Sequence, residues 1–200
     1  VLGASSDGRF FSGSVDGTPF TSLDFTPTDV QMQTSGATTW TTVPMTLRNA
    51  TGVEAALSIR FDGSTGTRFA LSLANTGGTS RAVELRFPDL PDITLGPDPA
   101  SLCYAYPAQA FVHGSAPVVV ETPYSGRFPT QFVDLYDSAA GWGTCLLVQD
   151  KALITKYFGL KKDADKAGLW VRYPTLLGTG LPAGSQMEIA PFTLAMHAGD

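Results

Sequence analysis

Three consecutive segments of this chain alternate apolar and polar residues with a period of two, over residues 53–61, 67–74 and 79–87. This period is typical of β-strands, because successive side chains point to opposite faces of a sheet. Short glycine-containing breaks separate the segments, and such breaks are typical of hairpin loops. The pattern therefore predicts three antiparallel strands joined as a meander, with one buried face and one polar face.

Similar short patterns recur along the rest of the chain, giving about fourteen predicted strands, more than one twisted sheet usually holds. Two packed antiparallel sheets are therefore expected. The proline-rich residues 88–100 are predicted to form a long crossing loop. Fourteen of the 18 acidic residues are aspartate, a turn former, whereas glutamate and lysine, which favour surface helices, are scarce. The sequence predicts an all-β fold, a single large two-sheet β-sandwich domain over residues 1–200.

All five lysines lie in one short window, between Lys151 and Lys166. Two interpretations are open for this window: a helical insert, or a charged and solvated hairpin tip. Strand patterns flank the charged residues on both sides, over residues 153–160 and 168–174. This arrangement favours the hairpin tip.

The chain carries 13 basic and 18 acidic residues, for a formal net charge of −5. This balance argues against nucleic acid or an anionic membrane surface as the main partner. No apolar run reaches the roughly 18 residues that a membrane-spanning helix needs. With two cysteines, no CxxC motif and two histidines, the sequence predicts no zinc site of the usual kind and no cofactor. We expect Cys103 and Cys145 to be unpaired, because a sandwich of this size needs no cross-link.

Residues 123–150 contain most of the binding-capable aromatic residues, in two strand patterns around a turn. The turn is predicted to bring Tyr136, Asp137 and Trp142 close together beside two glycines. Aromatic faces beside carboxylates suit a sugar, which has apolar C–H faces and hydroxyl edges. A core hairpin with an aromatic plug explains the same pattern, and both interpretations stay open. Trp142 shares a strand face with Leu146, so we expect it to be partly buried.

The sequence contains no GxSxG hydrolase elbow, no P-loop and no GxGxxG motif. Three carboxylates near the hairpin, Asp134, Asp137 and Asp150, are acid–base candidates, although an aspartate that begins a turn commonly caps its own backbone. His113 and His197 are candidate general bases. Nothing in the spacing pairs either histidine with a particular carboxylate. The residues therefore predict no catalytic set.

A series of short motifs nevertheless follows in a familiar order: ELRFP from residue 84, PYSG at 123–126, QFVDLYD at 131–137, GWG at 141–143, LVQD at 147–150 and VRYP at 171–174. The series resembles the N-terminal galactose-mutarotase-like β-supersandwich that precedes the catalytic (β/α)8 barrel of some multidomain glycoside hydrolases. The resemblance covers residues 53–200. It implies a non-catalytic domain that supports the barrel and lines the glycan cleft, with the barrel following residue 200 and bearing the catalytic carboxylates.

The resemblance further implies a secreted or periplasmic glycoside hydrolase, with two partners: an oligo- or polysaccharide and the barrel of the same polypeptide. It places no catalytic or metal-binding residue in this chain. Carbohydrate binding is assigned to Trp142, Tyr124, Gln131, Tyr136, Asp137, Arg127 and His113. Two alternatives stay open. One is a mutarotase-like epimerase of a free sugar, with His113 and Glu121 as the available base and acid, and the other is a purely structural scaffold.

Overall fold

A computed structural model shows an all-β protein. It describes residues 8–36, 38–47, 52–61, 66–107, 111–124, 130–150, 154–164, 166–174 and 180–198. These residues form sixteen strands and two three-residue 3-10 helices, at Ser22–Asp24 and Pro99–Ser101. No helix within the described ranges is long and apolar enough to cross a membrane.

The strands form two sheets, in which all paired neighbours are antiparallel. The smaller sheet has six strands, in the order β11 (Val118–Pro123), β14 (Tyr157–Lys162), β15 (Ala167–Tyr173), β8 (Val83–Ile93), β1 (Ser12–Val15) and β2 (Thr18–Thr21). The larger sheet has ten strands, in the order β10 (Phe111–Gly114), β9 (Leu102–Pro107), β12 (Phe132–Asp137), β13 (Trp142–Val148), β16 (Gln186–Ala198), β7 (Gly66–Asn75), β6 (Val53–Phe61), β5 (Thr38–Leu47) and β3 (Phe25–Pro27), with β4 (Gln31–Ser35) also paired to β5. The prediction of a two-sheet antiparallel sandwich is confirmed.

Aromatic side chains from the two sheets meet in the core. Phe69 and Phe192 of the larger sheet stack with their ring centroids 4.9 Å apart, and Phe87 of the smaller sheet meets Phe192 edge-on at 4.9 Å. Phe87 and Phe192 are fully buried. Truncating such a phenylalanine to alanine typically costs about 3–5 kcal/mol. These rings therefore hold the two sheets face to face.

The predicted meander over residues 53–87 is correct for β6 and β7 and wrong for β8. β6 and β7 pair as antiparallel neighbours in the larger sheet. β8 instead belongs to the smaller sheet, between β15 and β1, and β16 occupies the place beside β7. Alternation shows which face of a strand is buried. Both sheets bury a face in the same core, so alternation could not show which sheet β8 joins.

Residues 88–93, predicted as the start of a crossing loop, are the second half of β8. Pro88 and Pro91 lie in the two places where the pairing of β8 with β15 shifts register. A bulge removes a residue from the hydrogen-bonded ladder, so a proline without an N–H donor is tolerated there. The bulges explain how a proline-rich segment stays in a sheet.

The lysine-rich window forms a hairpin, as its flanking strand patterns predicted. β14 and β15 pair in register up to Lys162 opposite Ala167. At the tip, Lys161 forms an ion pair with Asp163 at 2.7 Å, and both side chains are largely exposed. The prediction of a solvated tip is therefore correct for Lys161 and Asp163 and wrong for Lys162, which is 2% exposed and donates from Nζ to the backbone carbonyl of Asp163 at 2.7 Å.

Candidate functional site on the larger sheet

The β12–β13 hairpin forms as predicted, and its two faces have different surroundings. Val133 and Leu135 point into the core and are almost fully buried. Phe132, Asp134 and Tyr136 alternate with them, point the other way and are half-buried. We call the face of the larger sheet that points away from the core its outer face. The outer face is where side chains of this hairpin can meet a partner.

Asp137, at the end of β12, is a structural residue that is only 1% exposed. Its Oδ1 accepts hydrogen bonds from the Oγ of Ser101 at 2.5 Å and from the backbone N–H groups of Ala139 and Ala140 at 2.9 and 3.0 Å. The Ser101 hydroxyl and these N–H groups hold the pKa of Asp137 below its ordinary value. Gly96 makes room for the carboxylate, since a Cβ there would lie 1.7 Å from Oδ2. The side chain therefore links the turn to the segment before β9.

The hairpin turn does not bring Tyr136 and Trp142 to a common surface, contrary to the prediction. In the β12–β13 register, Trp142 lies opposite Asp137, and Tyr136 lies opposite Gly143. Because register partners share a face, Trp142 points inward and Tyr136 points outward. Trp142 is half-buried and packs against the core, which agrees with the separate expectation that it would be partly buried. The sheet itself separates the two rings.

On the outer face, His197 reaches Asp134 across an intervening strand. The Nε2 of His197 on β16 lies 2.8 Å from Oδ1 of Asp134 on β12, and β13 lies between them. The imidazole crosses β13 above Gly143, where a Cβ would lie 2.6 Å from both Cε1 and Nε2. The missing side chain at Gly143 is therefore what allows the contact. An imidazole oriented by a carboxylate can bind a polar partner or transfer a proton.

Thiol and phenol groups border this pair. Cys145 lies opposite Asp134, and burial, together with the nearby Asp134 charge, raises the pKa of its thiol to about 12. Tyr136 lies opposite Cys103, and burial, followed by the contact with Cys103, raises the pKa of the Tyr136 phenol. A thiol that stays protonated is a weak nucleophile. The raised pKa therefore argues against Cys145 as a nucleophile.

The two cysteines are free, in agreement with the prediction of unpaired thiols. Cys103 lies on β9 and Cys145 on β13, with β12 between the two strands. Two strand spacings amount to about 9–10 Å, whereas a disulfide needs Cα atoms within about 7 Å. The topology therefore keeps the thiols apart.

An exposed apolar cluster lies on the same outer face, and we call Phe111, Phe132 and Leu147 the apolar rim. Phe111 is 60% exposed and Leu147 is 40% exposed. The ring centroids of Phe111 and Phe132 are 6.1 Å apart, and Phe132 lies opposite Leu147 in the register. His113 follows on edge strand β10 and is exposed. Contiguous exposed apolar side chains mark interaction surfaces.

Tyr124 and Gln131, also assigned to carbohydrate binding, make contacts within the sandwich. The Nζ of Lys156 lies 4.5 Å from the centroid of the Tyr124 ring. Gln131 donates from Nε2 to the backbone carbonyl of Asp150 at 3.1 Å. Asp150, an acid–base candidate from the sequence, forms an ion pair with the fully buried Lys156 and is thus structural. Arg127 lies outside the described residues.

The base and acid considered for a mutarotase-like activity are not brought together. His113 is on the edge strand β10 of the larger sheet, and Glu121 is on the edge strand β11 of the smaller sheet. Glu121 also accepts hydrogen bonds from Nε1 of Trp170 at 2.8 Å and from Nε of Arg172 at 2.9 Å. Its carboxylate is therefore engaged within its own sheet.

Sequence reasoning named His197 and Asp134 as separate candidates and did not pair them. Sixty-three positions separate the two residues, so no local pattern joins them. The one local signal is Gly143 in the GWG motif, because a glycine inside a strand often marks a close approach by another group. Within the described ranges, no group of three or more His, Cys, Asp or Glu side chains could hold a metal ion.

No protein-family model matches this chain, and no curated protein matches its sequence. Solved structures do match. An alpha-N-acetylgalactosaminidase from Bifidobacterium bifidum, in complex with GalNAc, matches with a TM-score of 0.72 at 9% identity, over 98% of this chain and 32% of that chain. A GH36 alpha-galactosidase from Geobacillus stearothermophilus matches with a TM-score of 0.61 at 9% identity, over 94% and 30%. This chain has the fold of a glycoside hydrolase β-sandwich domain.

The extent of the matches differs between the related structures. The chain spans 30–32% of the length of the two glycosidases. A structural-genomics protein from Synechocystis matches with a TM-score of 0.57 at 12% identity, over 85% of this chain and 65% of that chain. Identities this low establish a shared fold and no more.

Proposed function

We propose that this chain is a non-catalytic domain of a carbohydrate-active enzyme, a glycoside hydrolase, in which it supports the catalytic barrel of the same polypeptide and lines part of the glycan cleft. The observation that carries the proposal is the fold match, which extends over 94–98% of this chain but only 30–32% of the glycosidases. Such coverage is expected of one domain within a larger enzyme.

The surroundings of the carboxylates support a non-catalytic role. Glycoside hydrolysis uses two carboxylates that flank one glycosidic bond. Around the hairpin, Asp137 is buried in hydrogen bonds, Asp150 pairs with Lys156, and Asp134 pairs with His197. Each of these three carboxylates is therefore engaged by a partner other than a second carboxylate.

The apolar rim and the adjacent His197–Asp134 pair form the surface that we assign to the catalytic domain. Phe111 and Leu147 expose 60% and 40% of their surface, which burial against a neighbouring domain would remove from water. Aromatic side chains at the centre with polar groups beside them are typical of such interfaces. His197 and Asp134, with side chains 33% and 20% exposed, supply the polar contact.

Comparison of the full polypeptide with the isolated chain tests the proposal. Both are assayed on a panel of aryl glycosides and oligosaccharides. We expect hydrolysis by the full polypeptide and none by the isolated chain. Turnover by the isolated chain that survives purification and disappears with Asp134→Asn would overturn the proposal.

The docking surface has its own test in the full polypeptide. Phe111→Asp places a charge in the apolar rim and is expected to speed proteolytic separation of the two domains. Val119→Asp is the matched control, because Val119 is 70% exposed on the smaller sheet. Equal proteolysis rates for the two variants would show that the apolar rim is not part of the interface.

A second candidate is a mutarotase-like epimerase acting on a free sugar. The observation that favours it is the imidazole of His197, which Asp134 orients. In this candidate His197 serves as the base, a role first considered for His113. Exchange NMR between the anomers of free sugars distinguishes the candidates. Catalysed exchange that is lost in His197→Ala would favour the epimerase. No exchange together with no glycosidase activity in the full polypeptide would leave a structural scaffold.

The proposal also includes a secreted or periplasmic location and a part in polysaccharide degradation. The net charge of −5 is compatible with a neutral glycan as the partner. Fractionation of the native cells, with an antibody against this chain, checks the location. Recovery in the cytoplasmic fraction alone would contradict it.

A further inference from the structure

A groove crosses the outer face of the larger sheet, towards the end away from the apolar rim. It consists of two clefts of about 290 and 310 Å³ that share Ser58. The first cleft is lined by Ser58 together with Gln31, Gln33 and Trp40. The second continues across β6 and β7 to Glu188 on β16. Four strand spacings separate β4 from β16, which amounts to about 19 Å. The groove is therefore longer than one sugar ring.

Short side chains form the floor of the groove. Ala56 lies opposite Ser72, and Ser58 lies opposite Ala70, in the β6–β7 register. All four residues are half-buried. This floor provides space, and the larger side chains around it determine what can bind.

One end of the groove has an aromatic wall with hydrogen-bonding groups beside it. The guanidinium carbon of Arg60 lies over one face of the Trp40 ring, 5.4 Å from its centroid, so a sugar would stack on the opposite face. The Nε of Arg60 is buried and has no hydrogen-bond partner in the part of the chain that the structure describes. Gln31 and Gln33 are exposed beside Trp40. An indole face suits the C–H face of a pyranose, while amide and guanidinium groups suit its hydroxyls.

The other end offers side chains that are not used within the sandwich. Arg68 and Glu188 line the second cleft, and both are exposed. Neither makes a side-chain hydrogen bond or an ion pair with another described residue. Together they present donors and acceptors of opposite charge. This mixture favours a neutral polar ligand over a polyanion.

We propose that this groove binds a neutral oligosaccharide, with one sugar ring stacked on Trp40 and the sugar chain crossing Ser58 towards Glu188. Each cleft is at the small end of the range for small-ligand sites, and Trp40 supplies the aromatic surface among the described lining residues. The inference rests on the proposed function for the class of ligand, since carbohydrate is the expected partner. It assigns that ligand to residues outside the β12–β13 hairpin.

One row of residues joins the groove to the apolar rim across the outer face of the larger sheet. The backbone register places one row of residues across the outer face: Trp40, Arg60, Arg68, Thr193, Leu147 and Phe132. An oligosaccharide that extends along this row passes from Trp40 towards the surface assigned to the catalytic domain. The groove would therefore hold the part of a glycan that lies away from the scissile bond.

Calorimetric titration of the chain with neutral oligosaccharides tests the groove. The probes are gluco-, manno-, xylo- and galacto-oligosaccharides, from disaccharides to hexasaccharides. We expect at least one series to bind with an affinity that rises with length, and Trp40→Ala to weaken it by about tenfold or more. Val119→Ala is the control, because Val119 is 70% exposed on the smaller sheet, away from the groove, and it should leave the affinity unchanged. No binding by any series, or equal weakening in both variants, would overturn the proposal.

A second variant separates loss of binding from loss of folding. Glu188→Gln keeps the size of an exposed side chain, so its thermal unfolding should match that of the unaltered chain. We expect weaker binding of long oligosaccharides and little change for disaccharides. Equal effects on all lengths would contradict the assigned orientation. If the groove does not bind oligosaccharides, the full polypeptide should still hydrolyse aryl glycosides. If the proposed function is wrong, the full polypeptide should not hydrolyse them, although the chain should still bind oligosaccharides in the groove.

Discussion

Each outer face of the sandwich carries a side chain that crosses a glycine to reach a carboxylate two strands away. On the smaller sheet, Trp170 lies across Gly159 and donates from Nε1 to Glu121 at 2.8 Å. On the larger sheet, His197 reaches Asp134 at the same distance. In both places the glycine of the middle strand creates the space for the contact.

The two contacts differ in what surrounds them. Glu121 also accepts a hydrogen bond from Arg172, whose guanidinium lies 4.4 Å from the centroid of the Tyr157 ring. Arg86 lies over the Trp170 ring at 5.3 Å. On this sheet, cations and rings therefore complete a network within the sandwich. Thiols, a phenol and the apolar rim border the histidine–aspartate pair. The same arrangement, a side chain crossing a glycine to a carboxylate, is therefore part of a closed network on the smaller sheet and leaves a polar pair available to a partner on the larger sheet.

The largest expected effect is from Gly159→Ala. A Cβ at this position would lie 1.8 Å from Cε2 of Trp170, so the indole must leave its place and its bond to Glu121. We expect a loss of about 3 kcal/mol in the free energy of unfolding, measured by urea denaturation. Gly78→Ala is the control, because nothing lies within 4 Å of its Cβ. Similar losses for the two variants would show that Trp170 does not need the space over Gly159.

Glu121→Gln should have the next largest effect, about 1.5 kcal/mol at neutral pH. Burial alone would raise the pKa of Glu121, but the hydrogen bonds from Arg172 and Trp170 outweigh it and lower the pKa. A lowered folded-state pKa stabilises the protein above the ordinary glutamate pKa of about 4.3, and the stabilisation is lost as the pH falls through the folded value.

The difference in unfolding free energy between Glu121→Gln and the unaltered chain should therefore be constant near neutral pH and shrink below about pH 4. Urea denaturation across this range measures it. Glu54→Gln is the control, since Glu54 is exposed on β6. A difference that does not depend on pH would refute the charged network on the smaller sheet.

His197→Ala should have a smaller effect on stability, about 0.5–1 kcal/mol, because the pair is partly exposed to solvent. In the full polypeptide the same variant should speed proteolytic separation of the domains, and Lys161→Ala, at the exposed hairpin tip of the smaller sheet, serves as the control. A stability loss as large as that of Glu121→Gln would make the two contacts equivalent. The contrast between the two faces would then disappear.

The smallest expected effect is the labelling of Cys145 by a thiol reagent in the native chain. Because its pKa is raised to about 12, very little thiolate is present near neutral pH. We expect iodoacetamide to leave Cys145 unlabelled in the native chain and to label it once the chain is unfolded, as measured by peptide mass spectrometry. Rapid native labelling would make this cluster a reactive site.

Much of the fold follows from local sequence signals. The alternation of Val133 and Leu135 with Asp134 and Tyr136 correctly gave the two faces of β12, since side-chain direction in a strand depends only on position along the chain. The turn-capping role considered for Asp137 was also found, because an aspartate side chain bonds to backbone groups two or three residues away. These signals operate over a few residues and need no knowledge of the partner strand.

Strand neighbours and cross-strand contacts depended on the three-dimensional arrangement. The alternating pattern of β8 suited either sheet, and the rest of the core placed it beside β15 and β1. His197 and Asp134 meet because β12, β13 and β16 are adjacent in a particular register with Gly143 between them. Pairing over such separations is set by the burial and hydrogen bonding of the whole sheet. For this physical reason the sequence could name both residues but could not join them.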